Sequence, residues 1–208
     1  MKNSSIFLIR HGLTEGNIKD WYYGGADIPL IPEAFSQLDE YIAGEIYPKG
    51  DDISFYTSGM TRAIQTLQHI WGEVAFDIID DFREFNFGDY ECTPQEEILR
   101  DDFYQNWLKP EYSNLPLPGG GDSRESFNVR IGRELKHLLA THAKKELSLR
   151  HKEQEARTVM VCHGGVIGKT MEITFPDEFD HTFRRMPEPG RGFHLQVQGG
   201  EITGYDYV

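Results

Sequence analysis

Two stretches of this chain repeat one local event: a short apolar run, one basic or soft residue, then His-Gly. The first reads Ile6-Phe7-Leu8-Ile9 followed by Arg10-His11-Gly12, and the second Thr158-Val159-Met160-Val161 followed by Cys162-His163-Gly164-Gly165. If each run is a strand, both histidines stand at strand carboxyl ends, where open α/β sheets bind their ligands. The glycine after each lets the backbone turn sharply and a ligand come close. A lone histidine at a strand end is ordinarily structural; two in the same context point to one shared pocket. A third run, Ile53 to Tyr56, leads into Thr57-Ser58-Gly59-Met60-Thr61-Arg62-Ala63, where small polar residues open a helix and Arg62 falls in its first turn. Free N–H groups and the helix dipole favour an anion there, and a cation alone opposes them. A phosphate bridged by the guanidinium fork would offset that opposition. A fourth stretch is acidic. Glu84 stands among Phe82, Phe85 and Phe87, and apolar surroundings raise a carboxyl pKa towards that of a general acid. By chemistry alone Glu91, Asp89 or Asp81 would serve equally well, and spacing does not choose between them.

These side chains need strands to deliver them. Ser5 to Ile9, Ile53 to Tyr56, Phe76 to Ile79 and Thr158 to Cys162 read as short buried strands. Between them Glu33 to Ile46, Met60 to Trp71, Pro94 to Leu108 and Ser123 to Leu149 carry helical patterns. That alternation predicts an α/β three-layer sandwich, a mostly parallel sheet with helices on both faces. The tail, Phe193 to Gln198 and Ile202 to Tyr207 around Gly199-Gly200, reads as a hairpin that makes the sheet mixed. Asp122, with Glu125 three residues on, marks a helix start by a capping-box pattern. The Pro- and Gly-rich segment from Lys109 to Gly121 reads as an exposed connection. It is too short to join two cores, so residues 1–208 are expected to form one domain, with a helical excursion at about 88–121 that could serve as a lid.

Composition narrows the partners. The 208 residues are 38% hydrophobic and 12% aromatic, enough to bury a core. No apolar run approaches the ~20 residues of a membrane helix. The opening MKNSSIFLIRHG has an apolar stretch interrupted by Arg10, so no signal peptide is expected and a cytoplasmic setting is. Two cysteines, Cys92 and Cys162, far apart in sequence, read as reduced thiols rather than a disulfide or zinc framework. A net charge of −13 repels nucleic acid and anionic lipid. An anionic substrate must therefore be gripped by a local cluster of Arg and His.

The motifs together resemble the histidine phosphatase superfamily, the family of cofactor-dependent phosphoglycerate mutases and related phosphatases. The match rests on Arg10-His11-Gly12 with Thr14 and Asn17, Ser58-Gly59 with Arg62-Ala63 and Thr66, Glu84 with Phe87-Gly88 and Glu91, and His163-Gly164-Gly165, all in order. Asp27-Ile28-Pro29-Leu30 and Gly120-Gly121-Asp122-Ser123 add to it, and the resemblance covers about residues 5 to 172. It implies the phosphoglycerate-mutase-like fold and a phosphohistidine chemistry with no cofactor and no metal. His11 would be the nucleophile, and Arg10, Arg62 and His163 would hold the phosphoryl oxygens, with Asn17 donating a further hydrogen bond. Glu84 would protonate the leaving oxygen and then activate water. Tyr23, Gly24 and Gly164 would complete the substrate-binding set.

Departures favour a phosphatase over a 2,3-bisphosphoglycerate-dependent mutase. Tyr23-Gly24-Gly25 stands where mutases carry a small polar residue and then Gly-Trp, and Cys92 where the family often has Gly. Glu33-Ala34 takes the place of a helix-starting Gly, and Glu84-Phe85-Asn86-Phe87-Gly88 replaces the mutases' Glu-Arg-His-Tyr-Gly. The expected partner is thus a small-molecule phosphate ester, with the alcohol half and the oligomeric state open. Three rivals are weaker. His163 to Thr170 nearly matches a nucleotide-phosphate loop ending Gly-Lys-Thr, but its first glycine falls on a histidine. A cysteine phosphatase on Cys162 lacks the arginine six residues on, where Gly168 stands. A non-catalytic phosphate binder would not need a candidate acid. His137, His142 and His151 read as surface residues, the run Lys144 to Arg157 as a solvated helix end, and Arg184, Arg185 and Arg191 as candidates to help grip substrate.

Overall fold

The computed structural model describes residues 4–152, 154–179 and 186–208. Its strands are β1 (Ser4–Arg10), β2 (Trp21–Tyr22), β3 (Ile53–Thr57), β4 (Phe76–Ile78), β5 (Thr93–Pro94), β6 (Arg157–Cys162), β7 (Gly192–Gln198) and β8 (Glu201–Tyr207). Its helices are α1 (Glu15–Ile18), α2 (Pro32–Ala43), α3 (Thr61–Trp71), α4 (Gln95–Ile98), α5 (Asp102–Trp107), α6 (Arg124–Leu149) and α7 (Gly164–Thr174). Six strands form one sheet in the order β4-β3-β6-β1-β7-β8, and β2 pairs with β5 apart from it. The β4, β3, β6 and β1 pairings are parallel. The β7–β8 hairpin joins antiparallel to β1, so the sheet is mixed and mostly parallel, as the alternation predicted.

Strand β1 is apolar at consecutive positions because both its faces are covered. Ile6 and Leu8 pack with Met160, Phe127, Ile131 and Ile167 on the side of α6 and α7. Phe7 and Ile9 pack with Ala34, Leu38, Ala63 and Leu67 on the side of α2 and α3. The excursion after Gly88 is tied into the first of these cores through Ile98, Tyr104, Trp107 and Leu117. Among the described residues no helix is long and apolar enough to cross a membrane.

Four local expectations are corrected. Strand β4 is an edge, with Asp77 and Ile78 exposed, not a buried strand. The helix expected over Pro94 to Leu108 is split into α4 and α5, because Asp101 caps a new start by accepting from Tyr104 N at 2.7 Å. Helix α6 is capped by Ser123, not Asp122: Ser123 Oγ accepts from Ser126 N at 2.9 Å, and Ser126 Oγ accepts from Ser123 N at 3.0 Å. Asp122 is drawn off to accept from Asn86 N and Arg130, each at 3.0 Å. His142 is no surface residue. It is 1% exposed and bridges Ser4 Oγ at 2.5 Å and Thr158 Oγ1 at 2.8 Å, stapling α6 to β1 and β6. His137 is exposed beside Glu134, and the His151 side chain lies outside the description.

Burial pushes the His142 pKa down to about 4. The unfolded chain, with an ordinary histidine near 6.5, therefore binds more protons between those values, and stability must fall as pH drops through that window. The contribution is up to about 3 kcal/mol at 1.36 kcal/mol per unit. Denaturant titrations at pH 7 and pH 4 are expected to show His142→Gln losing less stability on acidification than the wild type. Equal losses would contradict this placement of the imidazole.

Candidate active site

The β1–β6 register pairs Arg10 with Cys162, so the next residue on each strand, His11 and His163, emerges at the same level. His11 N donates to Cys162 O at 2.9 Å, and the two imidazole centroids lie 5.3 Å apart. Both rings are buried, at 3% and 0% exposure. His11 Nδ1 lies 2.8 Å from Gly12 O, an acceptor only. In the neutral ring Nδ1 must therefore carry the proton, which leaves the Nε2 lone pair free. Strand β3 flanks β6 on the other side and delivers Ser58, whose Oγ lies 2.8 Å from His163 Nε2. Gly12 N donates to Thr66 Oγ1 at 2.8 Å, locking the His11 turn onto α3.

Arg62, in the first turn of α3, is completely buried. Its Nη1 donates to Ala26 O at 2.8 Å and its Nη2 to Gly24 O at 3.0 Å. Arg10 Nη1 donates to Pro187 O at 2.8 Å. Both guanidinium groups are thus oriented by neutral carbonyls, while the carboxylates of Glu84, Asp27 and Glu91 act on Arg62 from a distance. Among the described residues, the buried Arg10 Nε, Arg62 Nε and His163 Nδ1 have no hydrogen-bond partner. Unmet buried polar groups cost about 1–3 kcal/mol each, so their cluster at two guanidinium groups is a candidate place for an anion. Helices α3 and α7 both begin here without a side-chain cap, adding their N-terminal dipoles.

Glu84 reaches the same place from the segment after β4. Its Oε2 accepts from Gly165 N at 2.7 Å and its Oε1 from Phe85 N at 2.9 Å. The second glycine of His-Gly-Gly is there for space: a Cβ at Gly165 would lie 2.4 Å from Glu84 Oε1. Burial raises the Glu84 pKa against the lowering effect of those two N–H donors and of Arg62 and Arg10. Burial also drives His11 and His163 well below their ordinary range, and the two arginines push the same way, so both rings are neutral. The Glu84 backbone is held by Arg130 of α6, whose Nη1 donates to Asp81 O at 2.8 Å and Arg83 O at 2.7 Å.

The expected residues therefore converge. Arg10, His11, Arg62, Glu84, His163 and Gly164 are neighbours: the His11 and His163 rings adjoin within the field of Arg62 and Arg10, Glu84 bonds Gly165 N, and a Cβ on Gly164 would meet the Arg10 Cζ at 3.2 Å. The Tyr23 ring lies 6.3 Å from that of His11 and 5.1 Å from Arg62 Cζ, and its hydroxyl bonds Thr14 Oγ1 at 2.6 Å. Gly24 supplies a carbonyl to Arg62. Asn17 stands one step back, its Oδ1 spent on Thr14 in the capping box of α1. Of the rival acids, Asp81 pairs with Arg133, Asp89 is exposed, and Glu91 is bonded to backbone N–H groups. Cys162 is buried with its thiol pKa pushed up, and Lys169 pairs with Glu172 at 2.7 Å, so neither rival motif gains a site. Arg191 packs against Tyr41 and Tyr207, and Arg184 and Arg185 lie outside the described residues. Sequence reasoning gave no part to Arg130, and only the fold shows which carbonyls it gathers.

A family model described as histidine phosphatase superfamily (branch 1) matches residues 6–189. The chain belongs to the histidine phosphatase superfamily. A Hydrogenobacter thermophilus protein named as a phosphoserine phosphatase is 31% identical over 70% of this chain and 72% of its own length. A 2,3-bisphosphoglycerate-dependent phosphoglycerate mutase of Cytophaga hutchinsonii is 30% identical over 61% of this chain and 60% of its own. The fold is shared with an Escherichia coli structure named as an α-ribazole-5′-P phosphatase, at TM-score 0.75, 19% identity and coverage of 100% and 96% of the two chains.

The buried donor cluster makes a binding prediction independent of turnover. Calorimetric titration with tungstate is expected to show one tetrahedral oxyanion bound, and Arg62→Ala should weaken it by about 100-fold or more, the scale of breaking a buried charge pair. Unchanged affinity in a folded variant would contradict the site.

Proposed function

We propose that this chain hydrolyses small phosphomonoesters, without a metal, by passing the phosphoryl group through His11. The observation that carries the reading is the tautomer fixed by Gly12 O: a buried, neutral imidazole with its Nε2 lone pair free, its ring 5.3 Å from that of His163 and within the field of Arg62 and Arg10. In the first step Nε2 attacks phosphorus, the P–O bond to the alcohol breaks, and the Glu84 proton passes to the leaving oxygen. In the second, water attacks the phosphohistidine, Glu84 carboxylate takes the water proton, and the P–N bond breaks to release phosphate. The two arginines neutralise charge on the equatorial oxygens throughout, and His163, in the tautomer that accepts from Ser58 Oγ at Nε2 and carries its proton on Nδ1, adds a neutral hydrogen bond. Those fixed cations do the work that a metal clamp does in other phosphoryl-transfer sites.

A mutase would return the phosphoryl group to a second anionic substrate held beside the acid. The segment after Glu84 supports hydrolysis instead. Phe85 and Phe87 are buried in the core, and Asn86 Nδ2 is bonded to Gly120 O at 3.2 Å, so these three positions offer no cation to grip a further anionic group. The net charge of −13 favours a small ester over nucleic acid or an anionic membrane.

Two tests follow from the roles. His11→Ala should abolish release of p-nitrophenol from p-nitrophenyl phosphate and leave no acid-labile phosphoenzyme to trap; retained turnover would refute the assignment. Glu84 must be protonated to help an alkoxide leave, so kcat/KM for alkyl phosphates should fall as pH rises through its raised pKa. Glu84→Gln should slow alkyl phosphates by about 100-fold or more, slow aryl phosphates far less, and remove that alkaline limb. Equal slowing of both classes would assign the acid elsewhere.

A further inference from the structure

We propose that Glu91, which lies outside the reacting groups, is a positioning residue for Arg62. The proposal rests on the reading that Arg62 grips the phosphoryl group. Four backbone N–H groups converge on the one Glu91 carboxylate: Gly24 N at 2.9 Å and Ala26 N at 3.0 Å on Oε2, Gly25 N at 2.8 Å and Phe87 N at 2.7 Å on Oε1. The carbonyls that orient Arg62 come from the same loop. The peptide unit between Gly24 and Gly25 is bonded at both ends, its C=O to Arg62 Nη2 at 3.0 Å and its N–H to Glu91 Oε1. A carboxylate and a guanidinium thus polarise one peptide from opposite sides, which strengthens both hydrogen bonds.

The separation matters. A carboxylate in direct contact would cancel the Arg62 charge and compete with phosphate; one peptide unit away, it fixes direction without occupying the anion-facing N–H groups. The loop is shaped for this and little else. A Cβ at Gly24 would lie 1.8 Å from Phe85 O, and one at Gly25 would lie 3.2 Å from Glu91 Oε1. Cys92, the residue after Glu91, holds the left-handed conformation at φ 60°, a local strain that persists only when the surroundings impose it. The bond to Phe87 N ties the segment that carries Glu84 to the same carboxylate, so the phosphate grip and the acid share one anchor.

Tungstate affinity of the wild type, Glu91→Gln, Arg62→Lys and the double variant tests this, with thermal melts alongside. Lysine keeps the charge but has no fork to span two carbonyls. Glu91→Gln should weaken tungstate by about 10-fold or more in the wild type, since an amide cannot accept four N–H groups. In the Arg62→Lys background the same substitution should change affinity less than about 2-fold, because there is no oriented fork left to disturb. Equal weakening in both backgrounds would overturn the proposal, since Glu91 would then act through the fold at large. If Glu91→Gln melts below the assay temperature, Glu91→Asp, which keeps the charge but shortens the reach, is put through the same cycle and judged by the same coupling. A wild type that binds tungstate while Glu91→Gln binds it equally well overturns the role of Glu91 alone. A wild type that binds none overturns the phosphate grip and the role of Glu91 together.

Discussion

The parallel pairing of β1 with β6 is the constraint from which the site follows. Neighbouring strands lie about 4.8 Å apart, and a register that sets Arg10 opposite Cys162 brings the two following histidines ring to ring. A slip of one residue would turn each side chain to the other face of the sheet. That slip is costly because Ile6 and Leu8 belong to one core and Phe7 and Ile9 to the other. The hydrophobic cores on both faces thus fix the relation of His11 to His163, and β3, on the far side of β6, adds Ser58 and Arg62 in step.

Around that pair the electrostatics are built by orientation more than by pairing. The chain as a whole is strongly acidic, yet its two central guanidinium groups are held by the carbonyls of Pro187, Gly24 and Ala26. Carbonyls fix direction without bringing a counter-charge into direct contact. The carboxylates nearby are occupied elsewhere: Glu84 by the Gly165 and Phe85 N–H groups, Glu91 by the glycine loop, and Asp122 by Arg130. Burying charge in this way is expensive, and on the proposed reading an anion bound at the unmet polar groups of Arg10, Arg62 and His163 would offset that cost.

Much of this was legible in the sequence because strand ends are legible. Apolar runs announce β1, β3 and β6, and the residue after each run must lie at the sheet's carboxyl edge, which delivers His11, His163 and the helix that carries Arg62. Residue chemistry alone left Glu84, Glu91, Asp89 and Asp81 open and only the resemblance singled out Glu84, because the burial and backbone N–H partners that distinguish these carboxylates depend on the fold. The start of α6 misled for a related reason: Asp122 and Glu125 fit a capping box, but Arg130 of the next turns claims Asp122 and leaves Ser123 to cap. His142 was hidden by its charged neighbours Lys144 and Lys145, although its helix face points to β1 and β6. Edge position, not composition, exposes β4.

The central claim is that phosphorus changes hands twice, first to a histidine nitrogen and then to water. Stereochemistry at phosphorus tests it most directly. With a phosphorothioate monoester made chiral at phosphorus by its sulfur and two oxygen isotopes and turned over in water carrying the third isotope, each in-line displacement inverts the centre, so two of them predict net retention in the thiophosphate released. Net inversion would show that water attacks the ester directly and would contradict the account.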